Sequence, residues 1–250
     1  MKITNLVLSG ALLAALGFGQ TASLKQMAPK SEKEQEAVMA VFNAADPAAR
    51  ISAVDALVKK FADTEFKGLT LFIAAAAAEE LGDWEKTVIW ADRALEADKN
   101  SYGTMLILAR GYAMRTREFD LDKEEKLGKS EKYAKGALEL LNNMPPKVNP
   151  QIPDEQWNAQ VAAWKSEAYE ALGLVATVRK KWDDAVAQFN KGLEAAPNSP
   201  NLLTRLGSAQ LDGGKKADAL ATFNKVLALP QLDPAVKQVA ENLKKKAEAN

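Results

Sequence analysis

Two stretches almost a hundred residues apart share one layout. From Gly82 the chain reads GDWEKTVIWADRALEADKNS, and from Lys180 it reads KKWDDAVAQFNKGLEAAPNSP. Each has a Trp, an Ala-Leu or Gly-Leu pair about ten residues later, a Glu and a polar stop. With Trp84 and Trp182 in register, units of 34 residues fall at 68–101 and 166–199, and a third follows at 200–233. A unit this short cannot bury its own apolar face, so copies must stack into one continuous core.

The unit from Ser166 carries Tyr169, Leu172-Gly173, Ala176, Trp182, Ala185, Phe189, Gly192 and Pro197. The next carries Leu203, Leu206-Gly207, Ala219, Phe223 and Pro230. The first carries Leu71, Ala74-Ala75, Ala78, Trp84 and Ala94, with Lys99 where the last unit type ends in Pro. This pattern resembles the tetratricopeptide repeat family. The resemblance implies an all-α fold, a right-handed α-solenoid of antiparallel helix pairs. Small residues such as Ala94, Ala185 and Gly192 belong where two helices approach closely, and aromatics fill the wider gaps. Gly82, Gly213 and Gly214 mark turns between helices, where a positive φ costs only glycine little.

The other segments fit around these units. Residues 101–143 start and end like a repeat but hold about ten extra residues between the helices. MPPKVNPQIPDEQ then predicts a non-helical crossing. A long helix is expected from Asp154 into the next unit, with Trp157, Val161, Trp164 and Ala168 on one stripe. Asp233-Pro234 starts a capping helix over 234–248, with Val236, Val239, Ala240 and Leu243 as its apolar face. In front, Ser31-x-x-Glu34 reads as a capping box and Asp46-Pro47 as another helix start, so the helical domain is expected over 34–250.

The N-terminus predicts export. A cation at Lys2, an apolar run from Leu6 to Phe18 and small residues at Gly17 and Gly19 fit a secretory signal over 1–19, followed by a linker over 20–33. The expected location is the periplasm or the medium. The alternative is a retained segment, 6–19, that anchors the chain in the inner membrane.

Composition removes whole classes of chemistry. There is no His and no Cys, which excludes disulfides, thiolate nucleophiles, Cys/His zinc sites and His-based triads. Lys and Arg number 33 against 33 Asp and Glu, so no basic excess exists to recruit nucleic acid. DLDKEEKLGKSE from Asp120 half-imitates a calcium loop. Glu125 replaces the required Gly, however, and three lysines oppose a cation, so Asp122-x-x-Glu125 reads as a capping box. GGKK at Gly213 lacks phosphate-loop spacing and reads as a turn. No catalytic residue, cofactor or metal is expected, and the chain is not expected to be an enzyme.

In the family that the repeats resemble, first-helix positions 2, 5, 9 and 12 line a concave surface. Counted onto this chain, Leu69, Phe72, Ala76, Glu79, Tyr102, Met105, Ala109 and Tyr112 would form its apolar and aromatic front half, in which Leu69, Phe72, Tyr102, Met105 and Tyr112 would bind a protein or peptide. Glu167, Glu170, Leu174, Thr177, Asn201, Thr204, Ser208 and Leu211 would form its polar back half. A second outcome stays open, in which the front residues pack against the helices of 34–66. The resulting expectation is a protein–protein scaffold or assembly factor of the cell envelope. The alternative is a periplasmic chaperone or holdase, and a membrane contact is expected only if residues 1–19 are retained.

Overall fold

The computed structural model describes residues 27–143 and 152–249. The signal segment and the first half of the linker lie outside the described residues, as does most of the Pro-rich crossing. Eleven helices and no strand occur among the described residues. They are α1 (Glu32–Phe42), α2 (Pro47–Lys60), α3 (Lys67–Glu80), α4 (Trp84–Ala97), α5 (Tyr102–Arg115), α6 (Lys123–Asn142), α7 (Asp154–Val178), α8 (Trp182–Ala195), α9 (Pro200–Asp212), α10 (Lys216–Leu227) and α11 (Pro234–Ala249).

Local chemistry starts the helices. The side chains of Ser31, Asp46, Asp83 and Ser199 each accept a backbone N–H three residues on, which satisfies one orphan donor of the first turn. Asp233 Oδ1 accepts from Ala235 N–H at 2.8 Å and Val236 N–H at 3.3 Å, so α11 is capped where Asp-Pro predicted. The capping box at Ser31 is displaced by one residue. Glu34 Oε2 accepts from Lys30 N–H at 2.6 Å, not from the N-cap residue.

The regular pairs α3–α4, α7–α8 and α9–α10 have three-residue turns. The α5–α6 pair has a seven-residue loop, Thr116–Asp122, and α6 has 20 residues where α4 and α8 have 14. The ten extra residues are therefore split, four in the loop and six in the helix. The long helix foreseen from Asp154 is the 25-residue α7. Trp157, Trp164 and Ala168 are buried on it, as the stripe requires.

The described chain divides into two compact units. One comprises residues up to Leu108 with Gly136–Asn158, and the other comprises Ala109–Lys135 with Ala159 onward. In the first unit, α1 packs on α2, α2 on α3, and α3 on α4. The sequence of α3, KGLTLFIAAAAAEE, is apolar nearly all round, and such a helix must be enclosed. It is enclosed here, with Leu69, Thr70, Leu71, Phe72, Ile73, Ala74, Ala75, Ala77 and Ala78 all buried. A strap before α1 fastens this end. Lys30 Nζ donates to Asp63 O at 2.8 Å and Asp63 Oδ2 at 2.7 Å, and Ala28 N–H donates to Glu65.

In the second unit α8 packs on α9, α9 on α10, and α11 on both α9 and α10. Ala185, Phe189, Leu202, Leu203, Leu206 and Val226 form one buried cluster, and Ala219 and Phe223 belong to a second. Smaller clusters join α5, α6 and α7 through Ala109, Ala134 and Ala171, and through Ala113, Leu127 and Val175.

The turns refine the reading of the glycines. Gly82 has φ 74° and Gly214 has φ 79°, as expected. Lys180 occupies the same turn position in its own repeat, with φ 58°. A side chain there costs about 1–2 kcal/mol that glycine would not. Gly213 is a correction, because its φ is −83°. It is required for space instead: a Cβ would lie 2.9 Å from Trp182 Cβ and 3.0 Å from Ala209 O.

Candidate functional site

The five residues expected to line an apolar groove do not share one environment. Leu69 (6% exposed), Phe72 (3%) and Tyr102 (0%) are core residues of the first unit. This corrects the open-groove reading for these three, because side chains at such exposure offer no surface to a partner. For Leu69 and Phe72 the cause lies in the packing of α3, which has α2 against it as well as α4. Burial also pushes the Tyr102 phenol well above its usual pKa.

Met105 and Tyr112 are half-buried. The Met105 sulfur lies over Gly136, 3.1 Å from where a Cβ would stand. The Tyr112 ring lies nearly parallel to Tyr133 with centroids 6.5 Å apart, and Lys129 Nζ is 5.6 Å from its centroid.

The first-helix face of α7 and α9 stays accessible at more of its positions. Glu167, Glu170, Leu174 and Thr177 of α7 are half-buried, as are Thr204 and Ser208 of α9, and Asn201 is exposed. Leu211 is the exception and is buried. Two ion pairs cross this face between helices. Arg205 Nε donates to Glu170 Oε1 at 2.6 Å, and Arg110 donates to Glu167 Oε2 at 3.2 Å. Both arginines fall outside positions 2, 5, 9 and 12, which is why counting along the repeat missed them.

Between α9 and α11 the face deepens into a cleft of about 270 Å³, lined by Asn201, Thr204, Arg205, Ala235, Val236 and Val239. Val239 departs from the core position that its helical stripe predicts. Only Ala240 and Ala247 of α11 are fully buried, whereas Val236 and Leu243 are partly covered and Val239 is 49% exposed. A 16-residue helix at the end of a stack has a neighbour on one side, so part of its apolar stripe remains outside.

The Asp120–Glu131 segment is organised by lysine and arginine. Lys126 Nζ lies 3.3 Å from Asp120 Oδ2 and 2.8 Å from Asp122 Oδ1, where a calcium loop would place its ion. The Arg117 N–H, with Lys126 adding, holds Asp120 below the usual carboxylate range. Arg179 reaches from the end of α7 to Glu124 at 3.0 Å and Glu131 at 2.9 Å. Lys135, with Arg179, likewise holds Glu131 below its ordinary range. Among the described residues no group of three or more acidic side chains is arranged to hold a metal ion. None of the described helices is long and apolar enough to cross a membrane.

Residues 179–243 match the tetratricopeptide repeat family. No curated protein matches the chain. Among solved structures it is similar to the crystal structure of a thermophilic TPR protein from Thermus thermophilus. The TM-score is 0.54 at 16% identity, over 84% of this chain and 98% of that one. At that identity the likeness shows the fold: an all-helical, tetratricopeptide-like arrangement of adjacent helix pairs. The sequence match covers the second half of the 166–199 unit, the whole of 200–233 and most of the helix that follows.

Proposed function

We propose that this chain, a tetratricopeptide repeat protein, is a non-catalytic scaffold or assembly factor of the cell envelope. It holds a protein or peptide segment on the α7–α9 face of its second unit. Repeats of this kind serve protein interaction in general. The observation that carries the finer reading is that α7 and α9 leave seven of their eight groove positions accessible, while Leu69, Phe72 and Tyr102 are buried in the first unit.

The chemistry of the face favours a defined partner over a broad apolar holdase surface. Its centre is polar, and the two arginine–glutamate pairs set fixed charges across it. Such pairs select partners by complementarity more than they add affinity. Thr204 Oγ1 donates to Pro200 O at 2.8 Å and Thr177 Oγ1 to Gly173 O at 2.9 Å, so these hydroxyls are already oriented.

The double variant Asn201→Glu, Ser208→Arg tests the site. It should abolish recovery of the partner that co-purifies with the unaltered protein from its native host. The melting temperature should barely change, because neither side chain is in the core. Undiminished recovery contradicts the placement.

The envelope location rests on the signal pattern of residues 1–19. The intact mass of protein isolated from its host should correspond to a chain beginning at Gln20. A mass that includes residues 1–19 replaces export with retention of that segment.

A further inference from the structure

The turns after α3, α7 and α9 are built alike. The N–H groups of Gly82, Lys180 and Gly214 each donate to the carbonyl three residues back. The next N–H reaches five residues back, from Asp83 to Ala78, Lys181 to Ala176 and Lys215 to Gln210. The three residues have φ of 74°, 58° and 79°. Such a turn calls for glycine, and of the three the turn after α7 alone holds a side chain there. A residue kept at a conformational cost points to something its side chain does.

Lys180 Nζ reaches Glu118 Oε1 at 2.5 Å, in the seven-residue loop Thr116–Asp122 that the regular pairs lack. The residue before it reaches the same element pair. Arg179 Nε donates to Glu124 Oε2 at 3.0 Å and Arg179 Nη1 to Glu131 Oε2 at 2.9 Å, both on α6. The exceptional turn residue and the exceptional loop therefore meet.

Apolar burial does not hold this loop. Thr116 is buried at its root, but Phe119 is 88% exposed and Leu121 is 108% exposed. Asp120 Oδ2 accepts from Arg117 N–H at 3.1 Å, and Lys126 pairs with both Asp120 and Asp122. Those bonds lie within the loop and the first turn of α6, so they set its shape. Arg179 and Lys180 belong to the next helix pair, so they set its position.

We propose that Lys180 and Arg179 form an ionic clasp on the inserted loop, which fixes where Phe119 and Leu121 stand and which rising ionic strength opens. Both are positioning residues. The arms of the clasp differ in exposure. Lys180 and Glu118 are 58% and 43% exposed, whereas Arg179 and Glu131 are 22% and 32%. Salt screens the exposed arm more than the covered one. The loop is therefore released first, while α6 stays fastened at Glu131. The proposal does not rest on the partner reading above, and its test uses the purified protein alone.

The chain has no Cys, so introduced cysteines place spin labels at chosen sites only. Leu121→Cys with Ala187→Cys, both exposed and both in the second unit, reports the position of the loop as a distance between labels. At low salt the whole protein should give one narrow distance distribution, and salt of about 0.5 M should broaden it. Lys180→Met should give the broad distribution already at low salt and should no longer respond to salt. Glu118→Gln should match it, and the two changes together should add nothing. Lys180→Arg should keep the narrow distribution. Lys180→Gly should be as broad as Lys180→Met yet melt no lower than the parent, because glycine adopts that φ at little cost. That pair of results separates a residue that holds the loop from one that holds the fold. A narrow distribution in Lys180→Met overturns the proposal. So does a parent whose distribution ignores salt, or a Lys180→Gly variant that melts lower.

Discussion

Replacing Phe223 by Ala should destabilise the protein by about 3–5 kcal/mol, the range for a large buried aromatic. Phe223 is 0% exposed, and its partner across the helix pair is Gly207. A Cβ at Gly207 would lie 2.5 Å from Phe223 Cε1. One repeat earlier the same contact recurs, and a Cβ at Gly173 would stand closer still to Phe189 Cε1. These rings lie directly on a bare backbone.

This makes Gly207→Ala an informative companion. In an ordinary helix interior that change stabilises by about 1 kcal/mol. Here the ring must move within a packed core, so the change should instead destabilise by about 1–3 kcal/mol. A double variant with Phe223→Leu should cost less than the sum of the two single changes, since the smaller side chain makes room for the new methyl. Urea unfolding of the four proteins gives the comparison. A stabilised Gly207→Ala variant would contradict the contact.

Ala185→Arg should cost about 3 kcal/mol or more, because it overpacks a closed contact and buries an unpaired charge. Ala185 is 0% exposed and lies in the cluster with Phe189, Leu202 and Leu206. Ala187, two residues along the same helix, is exposed. Ala187→Arg should therefore change stability by no more than about 0.5 kcal/mol. Thermal melts of the pair isolate the register of the helix, because the substitution is identical and only the face differs. Equal melting temperatures would put the 34-residue register in error.

Much of the fold was legible because the repeat writes its packing rules into residue size. Gly173 with Phe189 and Gly207 with Phe223 are small-large pairs that recur at the same spacing, and Ala94 and Ala185 are fully buried where the alignment put them. The length of the insertion was also visible, since ten residues beyond a fixed unit must lie between two known ends. The division of those residues between loop and helix was not.

The candidate site was legible in part. A repeat position says which way a side chain faces but not how many neighbours lie there. Leu69 and Phe72 took concave positions and were covered by α2, which is not recognisable as a repeat by sequence. The five consecutive alanines of α3 carried that information, because an apolar helix with no polar side has nowhere exposed to turn. Arg110 and Arg205 left no periodic signal, since their partners Glu167 and Glu170 are 57 and 35 residues away. Exposure of Val239 depends on where the stack ends, which a helical stripe cannot express.

The most direct measurement of the functional account is photo-cross-linking in the native host from single positions on opposite faces of the second unit. A cross-linking residue at Asn201 or Ser208 should trap one envelope protein as a discrete adduct. The same residue at Ala187 or Lys216, exposed on α8 and α10, should trap none. Adducts that form equally from both faces, or only from Ala187 and Lys216, would contradict the α7–α9 face as the binding surface.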